Sequence, residues 1–338
     1  MRLLIVADDL TGALDSAAMF AARGLHVVAA RRPADLESAR ATGAQVIAVS
    51  TASREGTQDA AERKTQAVAD WARKHKIPRV FKKIDSRLKG HPRAETQILR
   101  APGQPVLICP AIPAQNRHVF AGYVRGAGVA TPIPIAQVMG TQAQCPDAMT
   151  ESDLDALVAQ AGHALLVGAA GLAGALARQM SGRNTDLPKI AAGTRLFAIG
   201  SRDPITIAQT AHMIATHAAD VILAPNGVAD ARPLNTELCI VQMVAGPDIV
   251  SPQRAGADFA ATVQQLCAQP LALLLCSGGE TADSIMELSG IGLIDVLGEA
   301  LPGLPDCQIM LDGRPTRLIT KSGGFGTPTC LAQIAAAP

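Results

Sequence analysis

Aromatic side chains are nearly missing from this sequence: Phe, Trp and Tyr together make up 2% of it. That is too few to build a stacking platform for nucleic-acid bases, and any bound adenine would have to lie between aliphatic side chains. Net charge is equally scant. Thirty Lys and Arg stand against 29 Asp and Glu, for a formal charge of +1, so no global field draws the chain to nucleic acid or to an anionic membrane. No apolar run approaches the ~20 residues of a membrane span. Met1 leads directly into a strand pattern, without the basic region and cleavage site of a signal peptide. The seven cysteines are odd in number and form no CxxC pair. Most lie inside apolar runs such as Leu273-Leu274-Leu275-Cys276, as reduced thiols of a cytoplasmic protein would. GxxxxGK followed by Ser or Thr is absent, as are protein-kinase motifs. The histidines show no HExxH or other metal spacing, so no protein-caged transition metal is expected.

What is present is a large aliphatic core. Of 338 residues 48% are hydrophobic, mostly Ala, Leu, Ile and Val. That composition and length predict two α/β domains with mainly parallel sheets. Leu3 to Ala7, His26 to Ala30, Val46 to Ser50, Arg79 to Lys83, Val106 to Cys109 and Ala164 to Val167 read as buried strands, with helices over Thr11 to Arg23, Thr57 to His75 and Asp153 to Ala161. Ser181-Gly182-Arg183-Asn184-Thr185-Asp186-Leu187-Pro188, small and polar, is the best linker. The predicted domains are 1–180 and 194–338, joined by 181–193.

Polar groups concentrate where strands end. Phe81-Lys82-Lys83-Ile84-Asp85-Ser86-Arg87-Leu88-Lys89-Gly90 packs four cations, a carboxylate and a hydroxyl into ten residues. A solvated charge run is the plain alternative. Two other strand ends, Asp8-Asp9-Leu10-Thr11-Gly12-Ala13 and Pro110-Ala111-Ile112-Pro113-Ala114-Gln115-Asn116-Arg117, would share its crevice, because the carboxyl ends of parallel strands converge. Asp9 can cap the following helix while a second carboxylate faces the crevice and accepts from a ligand hydroxyl. Arg54, at another strand end, offers a fork for a substrate carboxylate.

In the second half, three apolar strands end in glycine or serine before a helix pattern: at Gly200-Ser201-Arg202-Asp203-Pro204, at Ser277-Gly278-Gly279-Glu280-Thr281-Ala282, and at Lys321-Ser322-Gly323-Gly324-Phe325-Gly326. Missing side chains let phosphate oxygens approach backbone N–H groups, and helix N-termini add partial positive charge. Each such end contributes only about 0.3–1 kcal/mol, so several must cooperate. Lys321 would add a full charge. Ordinary glycine turns are the alternative.

Asp8-Asp9-x-Thr-Gly-Ala, Lys83-x-Asp-Ser-x-Leu-x-Gly, Pro110-Ala-x-Pro, Ser277-Gly-Gly-Glu-Thr-Ala and Lys321-Ser-Gly-Gly-Phe-Gly occur in this order over nearly the whole chain. Together they resemble the four-carbon acid sugar kinase family. The resemblance implies ATP-dependent phosphorylation of a hydroxyl on a small sugar acid, with the active site in a cleft between an amino-terminal substrate domain and a carboxy-terminal nucleotide domain. It carries substrate binding onto Asp8, Asp9, Arg54, Lys83, Asp85, Ser86 and Arg117, with catalysis by Asp9, Asp85 and Lys83. The choice of proton acceptor between the two aspartates stays open. Nucleotide binding falls on Ser201, Gly278, Gly279, Glu280, Thr281, Lys321, Gly323 and Gly324. ATP would bring Mg2+ with it, with no dedicated protein metal site; a homodimer is left open.

The chain departs from the family pattern in several places. Lys89 replaces arginine, Asn116 glycine, Asp203 serine and Glu280 aspartate. A segment after the Gly-Tyr piece, on the order of 30 residues or one β-α unit, is missing. A non-catalytic sugar-acid sensor, or another enzyme acting on phosphorylated sugar acids, remains as an alternative.

Overall fold

The computed structural model describes residues 1–140, 144–230 and 232–337. They divide into two compact units, Met1–Asp186 and Leu187–Pro338. The division falls inside the glycine- and proline-containing stretch 181–193, whose first residues stay on unit 1. Ser181 Oγ donates to Arg23 O, and Thr185 Oγ1 to Ala21 O.

Unit 1 runs β1 (Leu3–Ala7), α1 (Leu10–Ala21), β2 (Val27–Ala30), α2 (Leu36–Ala41), β3 (Val46–Ser50), α3 (Gln58–Lys74), β4 (Val80–Lys83), α4 (Pro92–Leu99), β5 (Val106–Cys109), β6 (Arg117–Phe120), β7 (Tyr123–Gly126), β8 (Ile133–Pro134), α5 (Ile135–Met139), α6 (Glu151–Gln160), β9 (Leu165–Gly168) and α7 (Ala170–Met180). Six strands form a parallel sheet in the order β2-β3-β1-β4-β9-β5. β1, β2, β3, β5 and β9 are buried at every residue, which explains their unbroken apolar runs. After β3 the chain crosses from one side of β1 to the other to form β4. The crevice at that switch point, outside the carboxyl ends of β1, β3 and β4, is where ligands bind in such sheets.

Two glycines keep α7 tight on this sheet. A Cβ on Gly168 would lie 2.5 Å from Cys109 O, and one on Gly171 2.4 Å from Ala111 O. The helix expected from Asp153 instead starts at Glu151, because Thr150 and Asp153 close a capping box. β6, β7 and β8 form a small antiparallel sheet.

Unit 2 runs β10 (Arg195–Ile199), α8 (Pro204–Thr216), β11 (Asp220–Pro225), β12 (Leu238–Val244), α9 (Pro252–Leu266), β13 (Leu273–Ser277), α10 (Gly279–Leu288), β14 (Leu293–Leu301), β15 (Leu304–Leu311), β16 (Arg314–Lys321) and α11 (Cys330–Ala336). Its strand order is β11-β12-β10-β13-β16-β15-β14, parallel as far as β16 and antiparallel beyond. Phe197, Ile240, Leu275 and Ile319 pack into one core with Leu331 and Ile334 of α11. Each such side chain contributes roughly 1.5–3 kcal/mol when fully buried. The sheet is therefore mixed, and the third strand-to-helix junction differs from expectation. β16 leads into a turn, and α11 starts only at Cys330. All seven cysteines are free thiols, and only Cys145 is not fully buried. No helix among the described residues is long and apolar enough to cross a membrane.

Candidate functional site

At the switch point of unit 1, Asp8 follows β1 and Asp9 caps α1. Asp9 Oδ1 accepts from Gly12 N at 2.9 Å, and Oδ2 from Thr11 Oγ1 at 2.8 Å. Arg54, beyond the end of β3, clasps both carboxylates. Its Nε reaches Asp8 Oδ2 at 3.0 Å, Nη2 reaches Asp8 Oδ1 and Asp9 Oδ1 at 2.8 Å each, and Nη1 reaches Asp9 Oδ2 at 2.6 Å. The fork expected to face a substrate carboxylate is thus largely occupied by the protein's own acids. Burial raises the Asp8 carboxyl, but the hydrogen bonds and charge of Arg54 outweigh it and leave it below the usual carboxylate range. The same acids push the Arg54 guanidinium up against its own desolvation.

The cationic stretch of β4 splits by strand alternation. Lys82 is fully buried and pairs with Glu95 of α4 at 2.6 Å. Glu95 also accepts from Ser53 Oγ at 2.5 Å. Lys83 takes the other face, against α1, where a Cβ on Gly12 would fall 2.9 Å from its Nζ. Lys83 as a residue is only 5% exposed, and its ammonium makes no hydrogen bond or ion pair among the described residues. An ammonium left without a direct protein partner beside this crevice is available to an anionic ligand.

Asp85 and Ser86 follow β4. Asp85 Oδ1 accepts from Arg87 N at 2.8 Å and Lys89 N at 3.4 Å, which shapes the turn and leaves Oδ2 open. Arg117, at the start of β6, is also buried. It donates to Ser86 Oγ at 2.5 Å and to Ala127 O at 2.6 and 3.0 Å. Desolvation and Arg87 lower its basicity, with Asp85 opposing. Asn116, in the place of the family's glycine, adopts φ +54°. Asparagine tolerates that left-handed conformation, so the turn presenting Arg117 forms without glycine.

One group was not singled out by sequence. Asp15 is the only ionisable residue of α1 and is almost wholly buried. Its Oδ1 has no hydrogen-bond partner, and the side chain makes no ion pair among the described residues. Burial pushes its carboxyl up to about 6, with Lys83 pulling down and Asp9 pushing further up. A lone acid in an otherwise uncharged helix was the available signal.

A cavity of about 830 Å³ opens at the opposite end of the sheet, before β4, β5 and β9, with Arg73, Lys76, Arg79 and Arg100 in its lining. It contains none of the marked residues. Arg73, Lys76 and Arg100 lie at the carboxyl ends of α3 and α4, where positive charge offsets the helix dipoles.

In unit 2, Ser201, Gly278 and the Lys321 loop meet at the carboxyl ends of β10, β13 and β16. Ser201 N donates to Ser277 O at 2.9 Å, and Gly278 N to Lys321 O at 2.8 Å. Gly278 has φ +118°. A Cβ there would press on Thr281 Oγ1 at 2.8 Å, and one on Gly323 would strike Ser201 Oγ at 2.6 Å. The N–H groups of Gly279, Glu280 and Thr281 open α10 and have no helical acceptor. Lys321 is fully buried behind the loop, not projecting from it. Its Nζ donates to Thr206 Oγ1 at 2.8 Å, Gly323 O at 3.0 Å and Ser322 O at 3.2 Å. Burial lowers it to about 8, with Cys330 and Asp203 opposing. Gln209 adds hydrogen bonds to the carbonyls of Phe325, Gly326 and Thr327. The loop's carbonyls are thus tied back toward α8. Asp203, in the place of the family's serine, caps α8 through Ile205 N at 2.9 Å. Among the described residues no three His, Cys, Asp or Glu side chains group as a metal cage.

Residues 3–137 match a sugar-binding N-terminal domain family, and residues 207–331 match a nucleotide-binding C-terminal domain family. At the family level the chain matches the sugar-acid kinases. A D-threonate kinase of Cupriavidus necator is 29% identical over 98% of this chain and 96% of its own length. A 3-oxo-tetronate kinase of Brucella melitensis is 26% identical over 97% and 93%. The C. necator alignment runs over 408 positions against 338 residues here, so at least 70 positions face gaps in this chain. That exceeds the single β-α unit expected to be missing. A solved structure from Salmonella typhimurium LT2 shares the fold with a TM-score of 0.75 at 19% identity, covering 99% of this chain and 98% of that one. A Haemophilus influenzae protein gives 0.68 at 18%, covering 96% and 97%. Both solved structures cover the two units and share the fold.

Proposed function

We propose that the protein is an ATP-dependent kinase that phosphorylates a hydroxyl of a small, four-carbon or related, sugar acid. The observation that carries this is Lys83: a mostly buried lysine whose ammonium makes no hydrogen bond or ion pair among the described residues, at the carboxyl end of β4, beside carboxylates already neutralised by Arg54. An anionic, hydroxyl-rich small molecule supplies what that crevice lacks. Kinases of such acids among the relatives, matched over nearly the full length of both chains, support the reaction class.

In this proposal Lys83 holds the substrate carboxylate, and Arg54 fixes Asp8 and Asp9 as acceptors for hydroxyls. Of the two candidate proton acceptors, Asp85 is preferred. Both oxygens of Asp9 already accept two hydrogen bonds, whereas Asp85 Oδ2 accepts none. Ser86 and Arg117 brace one another at the rim. Phosphoryl transfer depends mainly on positioning and charge stabilisation, so a strong base is unnecessary.

In unit 2 the nucleotide phosphates would lie on the N–H groups at the start of α10 and on the Gly323-Gly324 turn, with Ser201 and Thr281 beside them. The fit rests on glycines whose Cβ atoms would fill that surface and on N–H groups without acceptors. Lys321 acts from behind by holding the turn's carbonyls away. Mg2+ would arrive with the nucleotide and neutralise phosphate charge; Glu280, or Asp203, whose Oδ2 would lie 3.5 Å from a Cβ on Gly324, would hold its water. Transfer requires both units to close around their ligands, so the active site is proposed to be an interdomain cleft.

A coupled ADP-release assay over a panel of four-carbon sugar acids tests the reading, with acid-dependent ADP release as the expected result. A sugar-acid sensor is the second reading, favoured by the 70 or more aligned positions without counterpart here. Acid binding by calorimetry without ADP release would select the sensor and remove the kinase.

A further inference from the structure

Lys83 and Asp15 are each buried, each ionisable and each without a hydrogen bond or ion pair among the described residues. They also share one face of α1. The Lys83 ammonium lies against Gly12, at 2.9 Å from the position a Cβ would take there. Asp15 is three residues further along, and side chains at that spacing emerge about 5–6 Å apart on the same face. Two opposite charges so placed would ordinarily be drawn into an ion pair. Here Lys83 acts on Asp15 only through its charge, without an ion pair, and shares the Gly12 face with Asp9, whose Oδ1 would lie 2.4 Å from a Cβ there. The other charge acting on Asp15 is Asp9, already held by Arg54.

The chemistry of the two groups is specific. Lys83 provides only donors, and an ionised Asp15 only acceptors. A substrate carboxylate can meet Lys83 but cannot face Asp15, where like charges would oppose. What Asp15 needs is a donor positioned directly beside that carboxylate. In a sugar acid the hydroxyl on the carbon bearing the carboxylate is such a donor.

We propose that Lys83 and Asp15 form the inner subsite, Lys83 binding the substrate carboxylate and Asp15 accepting a hydrogen bond from the adjacent hydroxyl, so that Asp15 selects 2-hydroxy acids. This rests on the sugar-acid reading of unit 1 and deepens it by naming the feature selected. A site built around a hydroxyl rejects an analogue without it, because its buried acceptor is left unmatched.

Equilibrium binding by calorimetry, without nucleotide, tests this on the full chain with 2,3,4-trihydroxybutanoate and with 3,4-dihydroxybutanoate, which lacks only the 2-hydroxyl. The wild type should bind the trihydroxy acid at least about 30-fold more tightly. Asp15→Ala, which removes the acceptor, should bring the two affinities within about threefold, and Asp15→Asn, which keeps the shape and a weaker acceptor, should lie between. A purely structural role for Asp15 would weaken both ligands alike and leave their ratio unchanged. Equal affinities in the wild type, or a ratio preserved in Asp15→Ala, would overturn the subsite and leave the kinase reading standing. If the wild type binds no sugar acid at all, the reading of unit 1 itself fails. Asp15→Asn keeps the test decisive if Asp15→Ala does not fold.

Discussion

The guanidinium of Arg54 grips Asp8 with two prongs, Nε to Oδ2 at 3.0 Å and Nη2 to Oδ1 at 2.8 Å, although 46 residues separate them in sequence. The pair staples the end of β3 to the end of β1 and fixes the crevice before any ligand arrives. Asp8 is 2% exposed, so removing its partner would strand a buried charge. Arg54→Met is expected to lower unfolding stability by about 3–5 kcal/mol. Arg54→Lys, a point charge without the fork, should lose less but still measurably. Urea unfolding checks both, and a loss under about 1 kcal/mol for Arg54→Met would show that the acids do not need the arginine.

Lys83 predicts the reverse pattern. Its ammonium satisfies no protein group, so Lys83→Met, which keeps most of the aliphatic stem, should leave the melting temperature within a few degrees of wild type. Acid-dependent ADP release should fall by at least about 100-fold, because the charge that holds the substrate is gone. A variant that melts early and retains turnover would place Lys83 in the structure and outside the site.

The contrast between Lys82 and Lys83 also shows what sequence could and could not reveal. The strand over 79–83 was legible from its apolar neighbours. That alternation would send one lysine to Glu95 and the other to α1 could be deduced only once a buried carboxylate was known to wait on the far side. Asp9 as a helix cap was legible, since its residue type and place are those of a cap. Its capture by Arg54 was not, because the contact is non-local. In unit 2 the hairpin between β15 and β16 was legible yet overlooked. Asp312 and Gly313 have φ +47° and +74°, the Asp-Gly turn signal, between alternating apolar residues. The burial of Lys321 was hidden for a different reason. A lysine after a strand and before glycines suits a phosphate ligand, and only the packing of Thr206 against its ammonium shows it holding the turn from behind.

Gly278 offers a test of the nucleotide surface that leaves unit 1 untouched. Its φ of +118° is outside the range L side chains readily adopt, and a Cβ would sit 2.8 Å from Thr281 Oγ1 and 3.4 Å from Ser201 N. Gly278→Ala should cost about 1–3 kcal/mol of local strain and push Thr281 away from the start of α10. ATP affinity should fall by at least about tenfold in a direct titration, while sugar-acid binding stays at the wild-type value. Unchanged ATP affinity would move the nucleotide elsewhere.

Asp15 yields a prediction in stability and pH, independent of any ligand. Its carboxyl is raised from 3.8 to about 6 in the folded protein, chiefly by burial. An acid whose folded pKa lies above its unfolded value binds its proton more tightly when folded. Its presence therefore costs nothing below about pH 4, becomes increasingly destabilising as pH rises from about 4 to 6, and reaches its full cost above pH 6. A shift of roughly two units corresponds to about 3 kcal/mol once the group is ionised in both states. Asp15→Asn keeps the volume and removes the titration. The variant should therefore exceed the wild type in stability by about 3 kcal/mol at pH 8 and by roughly half that at pH 5. Taking the difference between the two proteins at each pH cancels the contributions of Asp8, Lys321 and the remaining groups. Parallel urea unfolding curves at the two pH values measure it. A difference that does not change with pH would mean that Asp15 is solvated or paired in the folded protein. A variant that gains stability while losing discrimination for the 2-hydroxyl would show the carboxylate retained for binding at the expense of the fold.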